Sequence, residues 1–302
     1  MAKISLHSFL TTDNLKLPGL LYEPIMKTDS VMIYLHGNGS SSIFYDYEEM
    51  EAYGKVLTNN NSAFFPFNNR GAHWIKKLNR IVGAEKERVP YGMTYELIRE
   101  CVMDIDGAIN HLKRCGFKKF YLAGASTGAN KIVVYDKYVK NNSVSKYILL
   151  SGGDDTGLYY DQMGKKKFNE TLTRCKKEIV KDHGRRLVPK YLIGDLLISY
   201  QSLFDTINPD GDYNIFPFNE VVNQLKLSKK IPFADLKRIA KPTLVIYGEN
   251  DEYCYGDVKK CVTVMKQLVG LKNNFTYEII ESADHGFTGK EQEVANIIVR
   301  WI

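Results

Sequence analysis

Three side chains in this 302-residue sequence have the chemistry of a nucleophilic catalyst: Ser126, His285 and Asp251. A serine hydroxyl is a poor nucleophile alone, because it needs a base that takes its proton and an acid that orients the base. Ser126 lies in GASTG (124–128), which matches the Gly-x-Ser-x-Gly pattern of a nucleophile elbow. Since the chain has 23 glycines, so short a match can arise by chance, and its surroundings must decide.

The surroundings of Ser126 favour the elbow. The segment KKFYLA before the motif is typical of a buried strand, and TGANKIVVYDKYVKN after it can form a helix. A strand, a sharp turn and a helix are what this motif requires. In that geometry Ser126 is strained, and Gly124 and Gly128 leave room where the strand and the helix pass closely. The alternative is a tight turn in which the serine only caps a helix.

His285 is the best candidate for the base, because it follows the last strand-like segment in SADHGF. Its alternative is an ordinary loop histidine. His36 begins HGNGSSS and more readily shapes that turn, whereas His73 follows NNRGA and could line the cleft and contact substrate. The other three histidines are assigned to an N-terminal strand region, a helix and a basic segment: His7, His111 and His183.

The acid that orients the base is predicted to be Asp251, which follows another strand in YGENDEY. A carboxylate there could accept the other ring N–H of His285, fix its tautomer and stabilise the imidazolium. Asp154 and Asp155 follow the preceding strand and are the alternative for this role.

Two backbone N–H groups are predicted to form an oxyanion hole, which binds the negative charge of a tetrahedral intermediate. One belongs to Thr127, where the start of a helix adds a favourable dipole. The other belongs to Asn38 in HGNGS, where Gly37 and Gly39 let the backbone approach the substrate. The alternative for this loop is a simple glycine turn.

Six apolar segments that run into Gly, Asn or Asp loops predict buried strands: 31–39, 62–71, 118–126, 145–153, 242–251 and 275–286. Helical patterns alternate with them, which indicates a mostly parallel α/β sheet with its sites beyond the carboxyl ends of the strands. Between the second and third segments, apolar residues spaced by three and four predict a helix over 98–112, with Asp104 and Asp106 facing outward.

A long interval separates the fourth and fifth predicted strands, far more than one crossover helix needs. Residues 156–239 are therefore predicted to form an inserted cap of two to four helices, and residues 1–155 and 240–302 the core domain. Three stretches in the insertion look helical: FNETLTRCKKEIVKDHG, YLIGDLLISYQSLFD and FNEVVNQLKL.

In chain order, HGNGS, NNRG, GASTG, GENDE and ADHGF resemble the motifs of the α/β-hydrolase superfamily over essentially the whole sequence. The resemblance implies the α/β-hydrolase fold: an eight-stranded, mostly parallel sheet with helices on both faces and a cap between the sixth and seventh strands. It also implies a triad of Ser126, Asp251 and His285. The sequence looks most like small intracellular carboxylesterases and acyl hydrolases of the feruloyl- or siderophore-esterase kind, although Ala125 stands where His is common.

The function implied is that of a serine hydrolase, a carboxylesterase that cleaves a small ester or related acyl substrate through an acyl-enzyme, with no cofactor and no metal. A thioesterase, an acyltransferase, a C–C hydrolase or a peptidase would use the same triad. A second alternative is a non-catalytic binding protein on the same fold.

The formal charge of +6 lies in one segment, because residues 161–190 hold ten Lys or Arg against four Asp or Glu. This basic segment could line the site of an anionic substrate, or it could be a solvated helix face. Its only aromatic residue is Phe168, so it lacks the interleaved stacking groups of a nucleic-acid partner surface.

Five scattered cysteines without a CxxC pair indicate free thiols in a reducing compartment. With 44% hydrophobic residues, the composition is that of a globular protein. The first residues lack the apolar run of a signal peptide, and no segment approaches the ~20 apolar residues of a membrane span. We therefore expect a cytoplasmic protein without integral membrane association, and its oligomeric state stays open.

Overall fold

A computed structural model describes residues 2–39, 41–270 and 272–302. The strands in these residues are β1 (Lys3–Leu10), β2 (Lys16–Glu23), β3 (Ser30–Leu35), β4 (Ala63–Phe67), β5 (Lys76–Val82), β6 (Glu85–Tyr91), β7 (Lys119–Ala125), β8 (Val144–Leu150), β9 (Thr243–Gly248) and β10 (Phe275–Ile280). The helices are α1 (Tyr47–Asn59), α2 (Cys101–Arg114), α3 (Thr127–Tyr138), α4 (Asp155–Val180), α5 (Lys190–Ile193), α6 (Tyr200–Ile207), α7 (Phe218–Val222), α8 (Ala234–Lys237), α9 (Val258–Val269) and α10 (Glu291–Trp301).

Eight strands form one sheet in the order β1-β2-β4-β3-β7-β8-β9-β10. β2 is antiparallel to both β1 and β4, and every other neighbouring pair is parallel. The six segments predicted as strands are β3, β4 and β7 to β10, so the prediction of a mostly parallel eight-stranded sheet is confirmed. β5 and β6 form a separate antiparallel hairpin that the sequence pattern does not reveal.

Helices cover both faces of the sheet. α1 and α10 pack on one face, around Tyr34, Tyr53 and Phe64. α2, α3 and α9 pack on the other face, around residues such as Ile33 and Leu122. Because both faces are covered, the central strands are mostly apolar, and every residue of β9 is buried.

The predicted helix over 98–112 is present as a 3₁₀ turn, Ile98–Glu100, followed by α2, but the outward orientation of Asp104 was wrong. The Asp104 carboxylate is buried and accepts hydrogen bonds from Nε and Nη2 of Arg70 at 2.9 and 2.7 Å. It also accepts the backbone N–H of Arg70 at 2.9 Å. The guanidinium is itself fully buried, and a buried charge needs a partner, which explains why an acid stands on this side of α2.

Between β8 and β9 the described chain forms five helices, α4 to α8, rather than two to four, because three of them are only four or five residues long. α4 and α6 pack together around their own small cluster of buried residues: Phe168, Cys175, Val188, Ile198, Tyr200, Leu203 and Ile207. From Tyr213 onward, buried side chains such as Phe216 and Phe218 instead join the cluster under the sheet. The division into a core and a cap at residues 156 and 239 stays a prediction.

All five cysteines are free. In the described parts of the chain, the helices are too short or too polar to span a bilayer.

The Arg70–Asp104 pair gives a test of the fold. Asp104→Ala leaves the buried guanidinium without its closest partner, and we expect it to lower the free energy of unfolding by about 3–5 kcal/mol. Glu87→Ala, on an exposed strand of the hairpin, is the control and should change stability by less than about 0.5 kcal/mol. Urea denaturation followed by circular dichroism measures both. Equal stability of the two variants would contradict the buried position of Asp104.

Candidate active site

Ser126 lies between the end of β7 and the start of α3, at a sharp turn of the backbone. Its φ of 54° and ψ of −126° belong to a region that residues with a Cβ rarely adopt. The turn is held in place because the Ser126 N–H donates to the Leu150 carbonyl at 2.8 Å, and the Ser126 carbonyl accepts from the Ala129 N–H at 2.8 Å. The strained backbone therefore holds this serine out from the edge of the sheet.

The turn is possible only because three glycines surround it. A Cβ on Gly124 would lie 2.5 Å from the backbone of Gly128, and a Cβ on Gly128 would lie 2.3 Å from the Leu35 carbonyl oxygen. On Gly37, a Cβ would lie 3.0 Å from the Cβ of Ser126. The start of α3, the end of β3 and the loop after β3 are thus in direct backbone contact around the serine.

His285 and Asp251 come together because the adjacent parallel strands β9 and β10 end at the same edge of the sheet. Asp251 follows β9 and His285 follows β10, and His285 Nδ1 lies 2.9 Å from Asp251 Oδ1. With the proton on Nδ1, the imidazole donates to this buried carboxylate. The same oxygen accepts the Tyr253 N–H at 3.0 Å, and the Tyr253 ring packs edge-on against His285 at 4.6 Å.

Ser126 and His285 both line a cavity of about 580 Å³ at the carboxyl edge of the sheet. Within the described residues, no hydrogen bond joins the two side chains. Catalytic hydrogen bonds are often long without substrate and tighten only in the complex.

The predicted oxyanion residues Asn38 and Thr127 also line this cavity, as do Gly37 and Gly39. Thr127 is the first residue of α3, where backbone N–H groups lack helical partners. The Asn38 side chain fixes its own loop, because Nδ2 donates to the Tyr213 hydroxyl at 2.8 Å and Oδ1 accepts the Gly39 N–H at 2.9 Å. Nothing in the sequence pointed to Tyr213, which comes from the inserted segment.

The two competing histidines are placed differently. His36 is buried with both ring nitrogens engaged: Nδ1 donates to the Gly37 carbonyl at 2.8 Å, and Nε2 accepts the Asn69 N–H at 3.2 Å. Burial lowers the pKa of His36 to about 3, so it is a neutral structural group. His73 is not among the described lining residues of the cavity, but its ring and its backbone contact residues that are. The hydroxyl of Tyr45 lies 2.8 Å from His73 Nδ1, and the His73 N–H donates to the Ser41 carbonyl at 3.1 Å.

Asp154 and Asp155, the two alternatives for the acid that orients His285, make other contacts. Asp154 caps α4: it accepts the Gly157 N–H at 2.9 Å, the Asn219 N–H at 2.7 Å and the Tyr255 hydroxyl at 3.1 Å. Asp155 lies in the cavity near the Thr127 hydroxyl, at 3.5 Å. Burial raises the pKa of Asp155 to about 6. In the structure, Asp251 is the carboxylate that accepts from the His285 ring.

The cavity is acidic, which the sequence analysis missed. Its described lining includes five carboxylates and no Lys or Arg: Asp46, Glu48, Glu49, Asp155 and Glu291. Glu49 accepts from the Tyr34 hydroxyl at 3.0 Å, and burial raises its pKa to about 7. None of the residues of the basic segment 161–190 lines the cavity. Asp46, Glu48 and Glu49 lie at the start of α1, where negative charge is favoured by the helix dipole.

One family model matches the chain over residues 91–302, and its description is "Protein of unknown function (DUF1749)". No curated protein matches the sequence.

Several solved structures share the fold at low identity. An esterase of Pyrococcus furiosus, Pf2001, is 17% identical with a TM-score of 0.56, and the match covers 99% of this chain and 92% of that one. The esterase EaEST of Exiguobacterium antarcticum is 18% identical with a TM-score of 0.56, over 97% and 98%. The meta-cleavage product hydrolase CumD of Pseudomonas fluorescens is 14% identical with a TM-score of 0.55, over 98% and 96%. The α/β-hydrolase fold predicted from the motifs is thus confirmed.

Strain at Ser126 can be measured independently of any activity. Ser126→Gly should relieve it, whereas Ser126→Ala keeps the Cβ and the strain, so the glycine variant should be more stable by about 1 kcal/mol. Chemical denaturation of the two variants gives the difference. The usual order, with alanine more stable than glycine, would show that this backbone is not strained.

Proposed function

This chain belongs to the DUF1749 family, whose description gives no activity, and from that premise we propose that it is a serine hydrolase of carboxylic esters or related acyl compounds. One observation carries the proposal: a strained serine and His285 line one cavity, and the His285 ring is hydrogen-bonded to the buried Asp251 carboxylate behind it. A purely binding protein on this fold has no physical need for all three groups.

In the proposed mechanism the substrate carbonyl lies over Ser126, with its oxygen towards the N–H groups of Asn38 and Thr127. Ser126 Oγ attacks the acyl carbon while His285 Nε2 takes the hydroxyl proton. Asp251 keeps the other ring proton on Nδ1 and stabilises the imidazolium. The two N–H groups and the start of α3 stabilise the oxyanion of the tetrahedral intermediate.

The intermediate then collapses, and His285 donates its proton to the leaving alkoxide, so that an alcohol departs and the acyl group stays on Ser126. A water molecule attacks the acyl-enzyme, and His285 takes a proton from it. When the second intermediate collapses, that proton returns to Ser126 Oγ and a carboxylic acid is released. The proposed steps require no metal or cofactor.

The charge of the cavity favours an uncharged or cationic substrate. Five carboxylates in the lining repel an anion, and no lysine or arginine among the described lining residues compensates for them. This weighs against coenzyme A thioesters, which carry phosphates. We expect an anionic substrate to bind only if its charged group lies away from these five carboxylates. An aromatic acyl group of the feruloyl kind is uncharged and could pack on the lining tyrosines, among them Tyr159 and Tyr253.

Steady-state kinetics with a neutral p-nitrophenyl ester tests the proposal. Ser126→Ala and His285→Ala should each lower kcat by several orders of magnitude, and Asp251→Asn by about 10⁴-fold, because the histidine then loses its correct tautomer. Asp161→Asn, a matched change at an exposed helix position, should leave kcat/KM unchanged. Full activity of Ser126→Ala would contradict the proposal. A larger loss of kcat in Asp155→Asn than in Asp251→Asn would instead assign the orienting acid to Asp155.

A pair of esters that differ only in charge tests the substrate preference. We expect kcat/KM to be about tenfold higher for a trimethylammonium ester than for its neutral tert-butyl analogue at pH 8, which corresponds to about 1.4 kcal/mol. Because the raised pKa of Asp155 is about 6 and that of Glu49 about 7, both carboxyls are protonated as the pH falls through these values. The ratio should therefore fall towards one between pH 8 and pH 5.

The ratio of the two esters is informative because any change that slows the hydrolysis of both esters equally cancels from it. Asp155→Asn should lower the ratio at pH 8 and reduce its dependence on pH. A ratio at or below one throughout this range would contradict the cationic preference while leaving the serine mechanism intact.

A further inference from the structure

Three metal-ligating side chains meet on the surface formed by β1 and α2, away from the cavity: His7, His111 and Cys115. Their ligand atoms all lie within 4.8 Å of one another. His7 Nδ1 is 2.8 Å from His111 Nε2, and Cys115 Sγ is 3.8 Å from the same nitrogen. We propose that this cluster binds a divalent cation of the zinc class, with two imidazoles and one thiolate as ligands and water in the fourth position.

Two of the three distances between the ligand atoms are close to those of a tetrahedral site. Zinc–nitrogen bonds of about 2.0–2.1 Å and a zinc–sulfur bond of about 2.3 Å place ligand atoms roughly 3.3–3.6 Å apart. The sulfur–nitrogen distance of 3.8 Å needs to close slightly, and the nitrogen–nitrogen distance of 2.8 Å needs to open by about half an ångström. Side-chain rotation can supply both movements, because Cys115 is exposed and both histidines are only partly buried.

The fold brings these three side chains close together. His111 and Cys115 are four residues apart at the end of α2, so they share one face of the helix. The end of β1 passes close to the same helix, because a Cβ on Gly107 would lie 2.7 Å from the Leu10 carbonyl oxygen. The His111 ring stacks on Phe9 at 5.9 Å, which fixes its plane.

A hydrogen bond behind His7 orients its ring in the way that metal-binding histidines are oriented. The Ser5 hydroxyl lies 3.0 Å from His7 Nε2 and can accept its proton, which leaves the lone pair of Nδ1 directed at the cluster. Without a cation, one proton must lie between His7 Nδ1 and His111 Nε2. Binding moves that proton to the outer nitrogen of its own ring and releases the Cys115 thiol proton to solvent, so one proton leaves for each cation bound.

The charges around the cluster partly balance. Arg114 adjoins His111 and opposes a cation, whereas Glu23 lies near the Cys115 thiol and favours one. Glu23 also forms an ion pair with Lys3 at 3.3 Å, so Lys3 already offsets part of its negative charge.

The cluster is separate from the candidate active site. In the strand register, His7 of β1 lies opposite Gly19 of β2, and Gly19 lies opposite Phe67 of β4. Phe67 lies opposite Leu35 of β3, and Leu35 lies opposite Gly124 of β7. Four strand spacings of about 4.8 Å therefore separate β1 from β7, a distance of about 19 Å. Cation binding would tie an edge strand to the helix packed on it, so its expected effect is on stability, and it does not depend on the proposed function.

Titration of the full-length, reduced and metal-free protein with Co²⁺ tests the site. The wild-type protein should bind one equivalent and show a thiolate-to-cobalt charge-transfer band that Zn²⁺ displaces, and its Tm should rise with Zn²⁺ concentration. Cys115→Ser should lose this band, and His7→Ala should lose at least about a hundredfold in affinity. His183→Ala, a matched change in the inserted segment, should bind as the wild type does.

Two results would overturn the proposal. The first is the absence of stoichiometric Co²⁺ or Zn²⁺ binding by the wild-type protein, which would leave the histidines as a hydrogen-bonded pair. The second is unchanged binding by Cys115→Ser and His7→Ala. The Cys115→Ser variant keeps the test valid even if His7→Ala folds poorly, because it replaces an exposed side chain with one of similar size.

Discussion

The backbone contact between the start of α3 and the end of β3 is the constraint on which the site depends. Gly128 has room for no side chain, because a Cβ there would lie 2.3 Å from the Leu35 carbonyl oxygen. This contact brings the first N–H groups of α3 beside the loop that follows β3. It also forces Ser126 into its strained turn, so one steric requirement places the candidate nucleophile and both candidate oxyanion donors.

The order of the strands in the sheet positions the remaining candidate catalytic groups. β3, β7, β8, β9 and β10 are consecutive neighbours, and the loops at their carboxyl ends share one edge. The loop after β3 carries Asn38, the turn after β7 carries Ser126, and the loops after β9 and β10 carry Asp251 and His285. The inserted segment lines part of the cavity with Leu158 and Tyr159 and contributes Tyr213, whose hydroxyl accepts a hydrogen bond from the Asn38 side chain. The lining is acidic, and no residue of the basic segment 161–190 belongs to it.

Much of this arrangement could be predicted from the sequence, because it follows from local patterns. Apolar segments that run into glycine loops mark the six parallel strands, and the spacing of Gly124, Ser126 and Gly128 marks the turn. Asp104 was misplaced because helical periodicity carries no information about Arg70, a partner 34 residues away. The histidine–cysteine cluster was invisible for the same reason, since His7 and His111 are 104 residues apart. The acidic cavity arises when carboxylates from α1, α4 and α10 converge, which only the tertiary structure reveals.

The most direct test of the account is covalent labelling of the native protein with a fluorophosphonate, followed by mass spectrometry of its peptides. This reagent reacts with serines that an adjacent base activates. The account predicts one adduct per chain, located on Ser126, and much slower labelling in a His285→Ala variant. An unlabelled protein, or an adduct on another serine, would contradict the central claim that this strained serine is an activated nucleophile.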